Sequence, residues 1–81
     1  MREQFEQLLR RHLTLLPPEA PIPFDAELVA IGLDSIGVIN LLLDLEETFS
    51  VSFPGALLTP ETFRTPATVE AAVASLLGVR A

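Results

Sequence analysis

The sequence predicts an all-α protein, a small bundle of three main helices plus one short helix, with a long loop between helices one and two. Apolar residues recur at helical spacing in three segments, and prolines separate the first two of these segments. No segment shows the strict alternation of apolar and polar residues that a half-buried strand needs. We expect the 81 residues to form a single domain over 1–81.

The first helix is predicted from about Arg2 to Leu16. The pair Pro17-Pro18 is expected to end it, because proline lacks the amide hydrogen and restricts the residue before it. His12 is the only histidine of the chain, and we expect it to pack and not to act chemically. The apolar stripe of this helix comprises Phe5, Leu8, Leu9, His12 and Leu16.

A long connection with four prolines follows over residues 17–34. Connections of this length in a compact domain are often functional. Asp25 is predicted to cap a short helical turn over residues 26–28. The apolar residues expected to fix the loop to the core are Phe24, Leu28, Val29 and Ile31.

The second helix shows the strongest periodicity in the chain. Gly32 interrupts the chain before it, Asp34 or Ser35 is predicted to cap it, and it should run to about Ser50. One side is predicted to face the core, and this side comprises Val38, Leu41, Leu42, Leu45 and Phe49.

The same helix carries a second apolar stripe on a different side, flanked by Asn40 and Glu47. This stripe comprises Ile36, Ile39 and Leu43. The helix is therefore expected to present one apolar face to its own core and another to a partner.

The last part of the chain is predicted to hold one short helix and the third main helix. Phe53 is a predicted core anchor in a turn, and the short helix is placed around residues 60–64. The final helix is expected to start at Thr65-Pro66, a cap residue followed by proline, and to stop at Gly78. Its buried residues are predicted to be Val69, Val73, Leu76 and Leu77.

Acidic residues dominate the middle of the chain. The formal net charge is −6, and residues 19–61 contain eight acidic residues and no lysine or arginine. A nucleic-acid-binding protein needs a basic patch to neutralise phosphates, so nucleic acid is not an expected partner. The field of the acidic segment would instead attract basic protein surfaces.

The composition also argues against other classes. The chain has no cysteine and therefore no disulfide framework or thiol nucleophile, which fits a cytoplasmic protein. No apolar run approaches the roughly 18 residues of a membrane span, and the N-terminus lacks the apolar core of a signal peptide. The side chains suggest neither a metal site nor a catalytic constellation.

Ser35 is the remaining candidate for chemistry, since it starts a helix directly after the long loop. A serine at such a position is ordinarily a helix cap. Asp34 is able to do the capping and to free the Ser35 hydroxyl. The unpaired amides and the positive dipole end of a helix N-terminus favour a phosphodiester there. The residues alone leave both interpretations open.

Three runs and one later pair resemble the acyl and peptidyl carrier protein family over nearly the whole chain. They are residues 28–36 (LVAIGLDSI), 41–49 (LLLDLEETF) and 51–54 (VSFP), and the pair Thr68-Val69. The family typically shows a Gly-x-Asp-Ser-Leu motif, a helix ending Leu-Glu-x-x-Phe, a turn with an apolar-Pro pair, and a Thr-Val that opens the last helix.

The resemblance implies a monomeric carrier protein and not an enzyme. A phosphopantetheinyl transferase would attach 4′-phosphopantetheine from coenzyme A covalently to Ser35, with Asp34 as the adjacent motif residue. The thiol of this arm would hold an acyl or aminoacyl group as a thioester and deliver it between biosynthetic enzymes. The other implied partners are a loading ligase or adenylating enzyme and the downstream enzymes that use the group, with no nucleic acid and no membrane.

The resemblance also implies a docking surface, since in this family the helix after the serine is the main docking element. The residues that it assigns to partner recognition are Ile36, Ile39, Asn40, Leu43, Glu46 and Glu47.

Several positions depart from the fatty-acid type of the family. Gly37 and Asn40 stand where acidic residues are frequent, Ser50 stands where a glycine is common, and Ile36 replaces the more usual Leu. Residues 57–65 resemble free-standing carriers of secondary metabolism, including those loaded with amino acids. An aminoacyl- or peptidyl-type free-standing carrier in natural-product biosynthesis is thus favoured. A carrier of fatty-acid or polyketide chains and an unmodified helical interaction module stay open as alternatives.

Overall fold

The structure, a computed structural model, describes residues 2–17 and 19–78. Within these ranges the chain forms three α-helices, α1 (Arg2–Arg10), α2 (Ser35–Phe49) and α3 (Pro66–Leu76). Two short 3₁₀ helices lie at Leu28–Ile31 and Gly55–Leu57, and none of the described residues forms a strand. The predicted all-α bundle with a long loop between helices one and two is therefore confirmed, with two short helices in place of one.

One hydrophobic core joins the three helices and the connections between them. Fully burying a side chain of this kind contributes roughly 1.5–3 kcal/mol, so the core is the main source of stability. Phe53 is buried as predicted. The buried apolar residues are Phe5, Leu8, Leu9, Leu13, Ile22, Leu28, Leu33, Leu41, Leu45, Phe53, Val69, Ala72 and Val73.

Helix α1 ends at Arg10, so its predicted extension to Leu16 is wrong. Beyond Arg10 the chain makes tight turns, in which the amide of His12 bonds to the carbonyl of Leu9 at 3.0 Å. These turns keep Leu13 buried and bring the following residues against Gly32. A tertiary contact has taken the place of further helical turns.

The start of α1 is tied to α3 through Arg2. Its guanidinium donates two hydrogen bonds to the Glu70 carboxylate, at 2.8 and 2.6 Å, and lies over the Phe24 ring at 4.4 Å. The bond to Glu70 raises the pKa of Arg2 above its already high usual value. Arg2 therefore stays charged at every pH at which the protein would be handled.

The long loop is attached to the core and to the segment before α3. Leu28 is buried, and its amide donates to the carbonyl of Arg64 at 2.8 Å. The 3₁₀ helix begins after Glu27, so the predicted turn capped by Asp25 is wrong. Val29 is 71% exposed and does not hold the loop to the core as predicted.

The predicted short helix at residues 60–64 is also wrong. The helical turn lies earlier, at Gly55–Leu57, and residues 59–64 form turns. The Thr59 hydroxyl accepts a hydrogen bond from the Thr62 amide at 3.3 Å, which offers the backbone an alternative to a helix. The rings of Phe53 and Phe63 stack beneath these turns, with their centroids 5.9 Å apart.

Helix α3 starts as predicted. The Thr65 hydroxyl accepts from the Thr68 amide at 3.2 Å, the Thr68 hydroxyl accepts from the Thr65 amide at 3.0 Å, and Pro66 is the first helical residue. The helix gives way to Gly78 with a φ of +75°. Leu77 is 38% exposed, so its predicted burial is wrong.

Candidate functional site

The start of α2 is capped by Asp34, as its position in the sequence suggests. The backbone of Asp34 is extended, and its Oδ1 accepts a hydrogen bond from the Gly37 amide at 2.6 Å. The side chain thereby satisfies one of the amides that a helix N-terminus leaves unpaired. Ser35 is thus the first helical residue and has no part in the cap.

The Ser35 side chain is exposed, and its hydroxyl has no hydrogen-bond partner in the part of the chain that the structure describes. The amides of Ser35 and Ile36 also have no acceptor among these residues. A free hydroxyl therefore stands beside unpaired backbone donors at the positive end of a helix dipole.

The absence of a side chain at Gly37 leaves space for the Asp34 cap. A Cβ at this position would lie 3.0 Å from Leu33 Cδ1 and 3.1 Å from Asp34 Oδ1. Both distances are tighter than an ordinary van der Waals contact, so the missing side chain lets Leu33 and the cap sit close to the helix. This gives a local structural reason for glycine at a position where the resemblance leads one to expect an acid.

Helix α2 has an outer face, which we define as Ile36, Ile39 and Leu43. These side chains are 69%, 58% and 57% exposed, whereas Leu41 and Leu45 on the opposite side are fully buried. Asn40 and Glu47 are exposed beside the outer face. The predicted division of the helix into two apolar faces is present in the structure.

Glu46 has an internal partner that sequence reasoning missed. The residue is half-buried, and its Oε2 accepts a hydrogen bond from the Phe53 amide at 2.8 Å. The carboxylate thereby holds the turn that follows α2 against the helix. The sequence signal for this bond is local, because a carboxylate in the last turn of a helix lies close to the backbone amides of the segment that follows the helix. Of the two adjacent glutamates, Glu47 is the exposed one.

His12 also has a partner that the sequence did not reveal. Its Nε2 lies 2.7 Å from Asp44 Oδ2, and the side chain is 13% exposed. The histidine packs as predicted and in addition connects the turn after α1 to the middle of α2. This is a structural contact away from Ser35, and it gives His12 no role at the site.

An apolar groove of about 670 Å³ lies beside the outer face. Ile39 lines it together with Val38 and Leu42, and residues 58–61 and Phe63 form the other side. Glu27 and Arg64 add charged groups to the lining. The groove begins about one helical turn from Ser35, because Ile39 follows Ser35 by four residues.

A family model described as the phosphopantetheine attachment site matches residues 3–73. The chain belongs to this family of carrier proteins. Its resemblance to the family, read from residues 28–69, is therefore confirmed. The carrier protein is 31% identical over 77 residues to the aminoacyl carrier protein of Agrobacterium fabrum, and the match covers 95% of this chain and 93% of that relative. It is 37% identical over 54 residues to aminoacyl carrier protein 2 of Bradyrhizobium diazoefficiens, covering 67% of this chain and 61% of the other.

Solved structures of carrier proteins have the same fold. One is a carrier protein from Agrobacterium tumefaciens in complex with an engineered Bradyrhizobium japonicum glycine:[carrier protein] ligase and AMP, with a TM-score of 0.79, 32% identity and coverage of 90% of this chain and 97% of that one. Another is a complex of the same kind of ligase with a glycylated carrier protein, with a TM-score of 0.73, 27% identity and coverage of 86% and 93%.

Membership of the family implies a covalently attached phosphopantetheine on a serine. The start of α2 fits this group. A phosphodiester needs an accessible hydroxyl, and a negative charge is favoured beside unpaired amides at a helix N-terminus. Both are present at Ser35, and the Asp34 carboxylate is already held by the Gly37 amide.

The described residues show neither a metal-binding cluster nor a membrane-spanning helix. In residues 2–17 and 19–78, no group of three or more acidic or histidine side chains is placed to hold a metal ion. No helix within the same ranges has the length and apolar character required to cross a membrane.

Proposed function

We propose that Ser35 receives the phosphopantetheine arm and that the protein carries an aminoacyl group between biosynthetic enzymes. The observation that carries this proposal is the uncommitted hydroxyl of Ser35 at the capped start of α2, inside the segment that matches the attachment-site family. When attached, the arm supplies a thiol that holds the cargo as a thioester.

The residues around Ser35 have separate tasks in this proposal. Asp34 keeps the helix start formed without using the serine, and Gly37 leaves room for that cap. The unpaired amides of Ser35 and Ile36 favour the negative charge of a phosphodiester. The protein holds and presents the cargo, and the partner enzymes supply the catalytic groups.

The aminoacyl class of the cargo is supported by the relatives. The Agrobacterium fabrum relative is named an aminoacyl carrier protein, and the solved complexes join carrier proteins to ligases that are named for glycine. We therefore propose an adenylating ligase as the loading partner, glycine as the first amino acid to test, and a phosphopantetheinyl transferase as the modifying partner.

We propose the outer face of α2, with Asn40 and Glu47 beside it, as the surface on which these enzymes dock. Exposed apolar side chains bury area in a complex, and the Glu47 carboxylate beside them attracts a basic partner. Glu46 is at most a secondary contact, because its carboxylate is held by the Phe53 amide.

The proposed role also suggests where and in what form the protein acts. Coenzyme A and activated amino acids are cytoplasmic metabolites, so the cytoplasm is the proposed compartment. The Agrobacterium fabrum relative is matched over 93% of its length, which supports a single carrier domain over residues 1–81. A natural-product pathway as the destination of the cargo stays a prediction.

The first experiment tests the attachment residue. Incubation with coenzyme A and a broad-specificity phosphopantetheinyl transferase should add the mass of one arm to the wild-type protein and to Ser52→Ala, a control at another exposed serine. Ser35→Ala should gain no mass in intact-protein mass spectrometry. A mass gain that persists in Ser35→Ala would refute the assignment.

The second experiment tests the cargo. The modified protein is incubated with ATP, glycine and a glycine:carrier-protein ligase, and the mass of a glycyl group should be added to the arm. Other amino acids and their ligases extend the series. The aminoacyl proposal fails if no amino acid is loaded while an acyl-loading enzyme charges the same protein.

A fatty-acid or polyketide chain is the second candidate cargo, and the groove of about 670 Å³ is the observation that favours it. Its apolar lining beside α2 would shelter a hydrocarbon chain better than a small polar amino acid. Efficient charging by an acyl-loading enzyme, with the acyl group protected from hydrolysis, would favour this candidate. A protein that is wholly unmodified in its native host would instead favour an interaction module without the arm.

A further inference from the structure

The turn after α1 packs closely against the loop that leads into Ser35. The Thr14 hydroxyl donates a hydrogen bond to the Gly32 carbonyl at 3.2 Å. A Cβ on Gly32 would lie 2.6 Å from the Leu15 nitrogen, 2.7 Å from Thr14 Oγ1 and 2.8 Å from the Thr14 nitrogen. Two segments that are 18 residues apart in sequence therefore meet with no room for a side chain between them.

Gly32 also has a φ of +110°, a conformation that a residue with a side chain rarely adopts. Space and backbone conformation thus require glycine at the same position. The close approach is made by residues that follow the end of α1 at Arg10, in the turns that replace further helix.

Most of the hydrogen bonds that fix residues 32–34 before Ser35 are made with residues nearby in the sequence. The amides of Gly32 and Leu33 both donate to the carbonyl of Leu28, the second at 3.0 Å. The Asp34 carboxylate accepts from Gly37. Thr14 differs from these, because its hydrogen bond reaches the loop from a distant part of the chain and fixes it relative to α1.

We propose that Thr14 is a positioning residue for the modification of Ser35. Its hydroxyl holds the Gly32 carbonyl, and this contact sets the orientation in which residues 32–34 present the serine to a phosphopantetheinyl transferase. The inference rests on the proposed function of Ser35 and extends it to a residue outside the attachment motif.

The reaction that depends on this orientation is a phosphoryl-group transfer. Ser35 Oγ forms a bond to the phosphorus that carries the pantetheine chain of coenzyme A, and the pyrophosphate bond of coenzyme A breaks. The adenosine bisphosphate half leaves with the electron pair, and the serine proton passes to a base of the transferase or to water. The rate of such a step depends strongly on the approach of the attacking oxygen.

The test compares the transferase kinetics of three proteins, the wild type, Thr14→Val and Thr14→Ser. Valine keeps the shape of threonine and removes the donor, whereas serine keeps the donor. Thr14→Val is expected to lower kcat/KM for the carrier protein about 3- to 10-fold, because this range corresponds to the loss of one exposed hydrogen bond. The loss should fall mainly on kcat, because the docking surface on α2 is unchanged. Thr14→Ser should restore the wild-type rate.

Two controls separate positioning from general stability. Thr48→Val makes the same chemical change at an exposed threonine of α2 that lies away from the outer face, and it should leave the kinetics unchanged. Arg2→Ala removes the ion pair with Glu70 and the contact with the Phe24 ring, and neither contact involves residues 32–34. It should lower the melting temperature without changing kcat.

The outcomes distinguish the two proposals. If the wild type gains no arm, or gains it at a residue other than Ser35, the proposed function fails. If Ser35 is modified and Thr14→Val reacts at the wild-type rate, the positioning role of Thr14 is refuted. The role is also refuted if Thr14→Ser does not restore the wild-type rate. It is refuted as well if Arg2→Ala, with a melting temperature similar to that of Thr14→Val, loses as much kcat as Thr14→Val does.

Discussion

The two apolar faces of α2 use the same kinds of side chain for different purposes. Leu45 is fully buried, whereas Leu43, two residues earlier, is 57% exposed. The inner face is packed by α1, by α3 and by the connecting segments, and its side chains contribute to folding. The outer face contributes little to folding and stays available for a partner. Composition and hydrophobicity cannot separate the two, and only the position around the helix axis does.

Truncation of the inner face should have the largest effect. Leu45→Ala removes a fully buried side chain, and the lost burial plus the cavity should cost about 2–5 kcal/mol of unfolding free energy. Urea unfolding followed by circular dichroism measures this cost. The matched change Leu43→Ala should stay within about 0.5 kcal/mol of the wild type. Equal losses in the two variants would abolish the distinction between the faces.

A charge on the outer face should damage docking and spare the fold. Leu43→Asp or Ile39→Asp is expected to lower kcat/KM for loading by the ligase about tenfold, since a buried carboxylate in the complex is costly. Helicity by circular dichroism should be unchanged. Thr48→Asp adds the same charge to α2 away from the outer face and should load normally. A large loss of helicity in Leu43→Asp would place this residue in the core.

The adjacent glutamates offer a smaller and sharper contrast. Glu46→Ala leaves the Phe53 amide without its acceptor and should cost about 1–3 kcal/mol of stability. Glu47→Ala should change stability by less than about 0.5 kcal/mol and weaken association with the ligase. Thermal unfolding and ligase binding measured on both variants test this division. It fails if Glu46→Ala is as stable as the wild type.

Salt should produce the smallest effect. Raising the ionic strength shortens the range of charge interactions to about 8 Å at physiological salt, so association of the acidic protein with a basic partner should slow by a few-fold. Stopped-flow association rates at several salt concentrations measure this. Glu47→Ala should show a weaker salt dependence than the wild type, and Leu43→Ala an unchanged one. A rate independent of salt would argue against electrostatic attraction.

Those parts of the fold that depend on local chemistry were predictable. Thr65-Pro66 marks the start of α3, and Asp34 caps α2, because a cap needs only residues within one helical turn. The exposed position of the outer face followed from helical periodicity. The location of Ser35 at the helix start followed from the same pattern, and its chemistry came from family resemblance.

The features that the sequence did not reveal depend on contacts between distant residues. The turns after α1 bring Thr14 against Gly32, and neither residue indicates the other in the sequence. The partner of His12 is an aspartate on another helix, and the exposure of Val29 depends on how the loop lies over the core. Glu46 is an exception, since its partner, the Phe53 amide, lies only 7 residues along the chain, but a glutamate on a helix does not by itself indicate whether it points inward or to solvent.

The cap at Asp34 separates the stability of the helix start from the chemistry proposed for Ser35. A serine that capped this helix would have its oxygen turned toward the helix amides, and a transferase would have to compete with that bond for access to it. Because the Asp34 carboxylate already holds the Gly37 amide, the proposed modification of the Ser35 oxygen would cost the helix start no hydrogen bond. The chain would thus be able to complete its fold before the arm is attached, with attachment as a later and separate event.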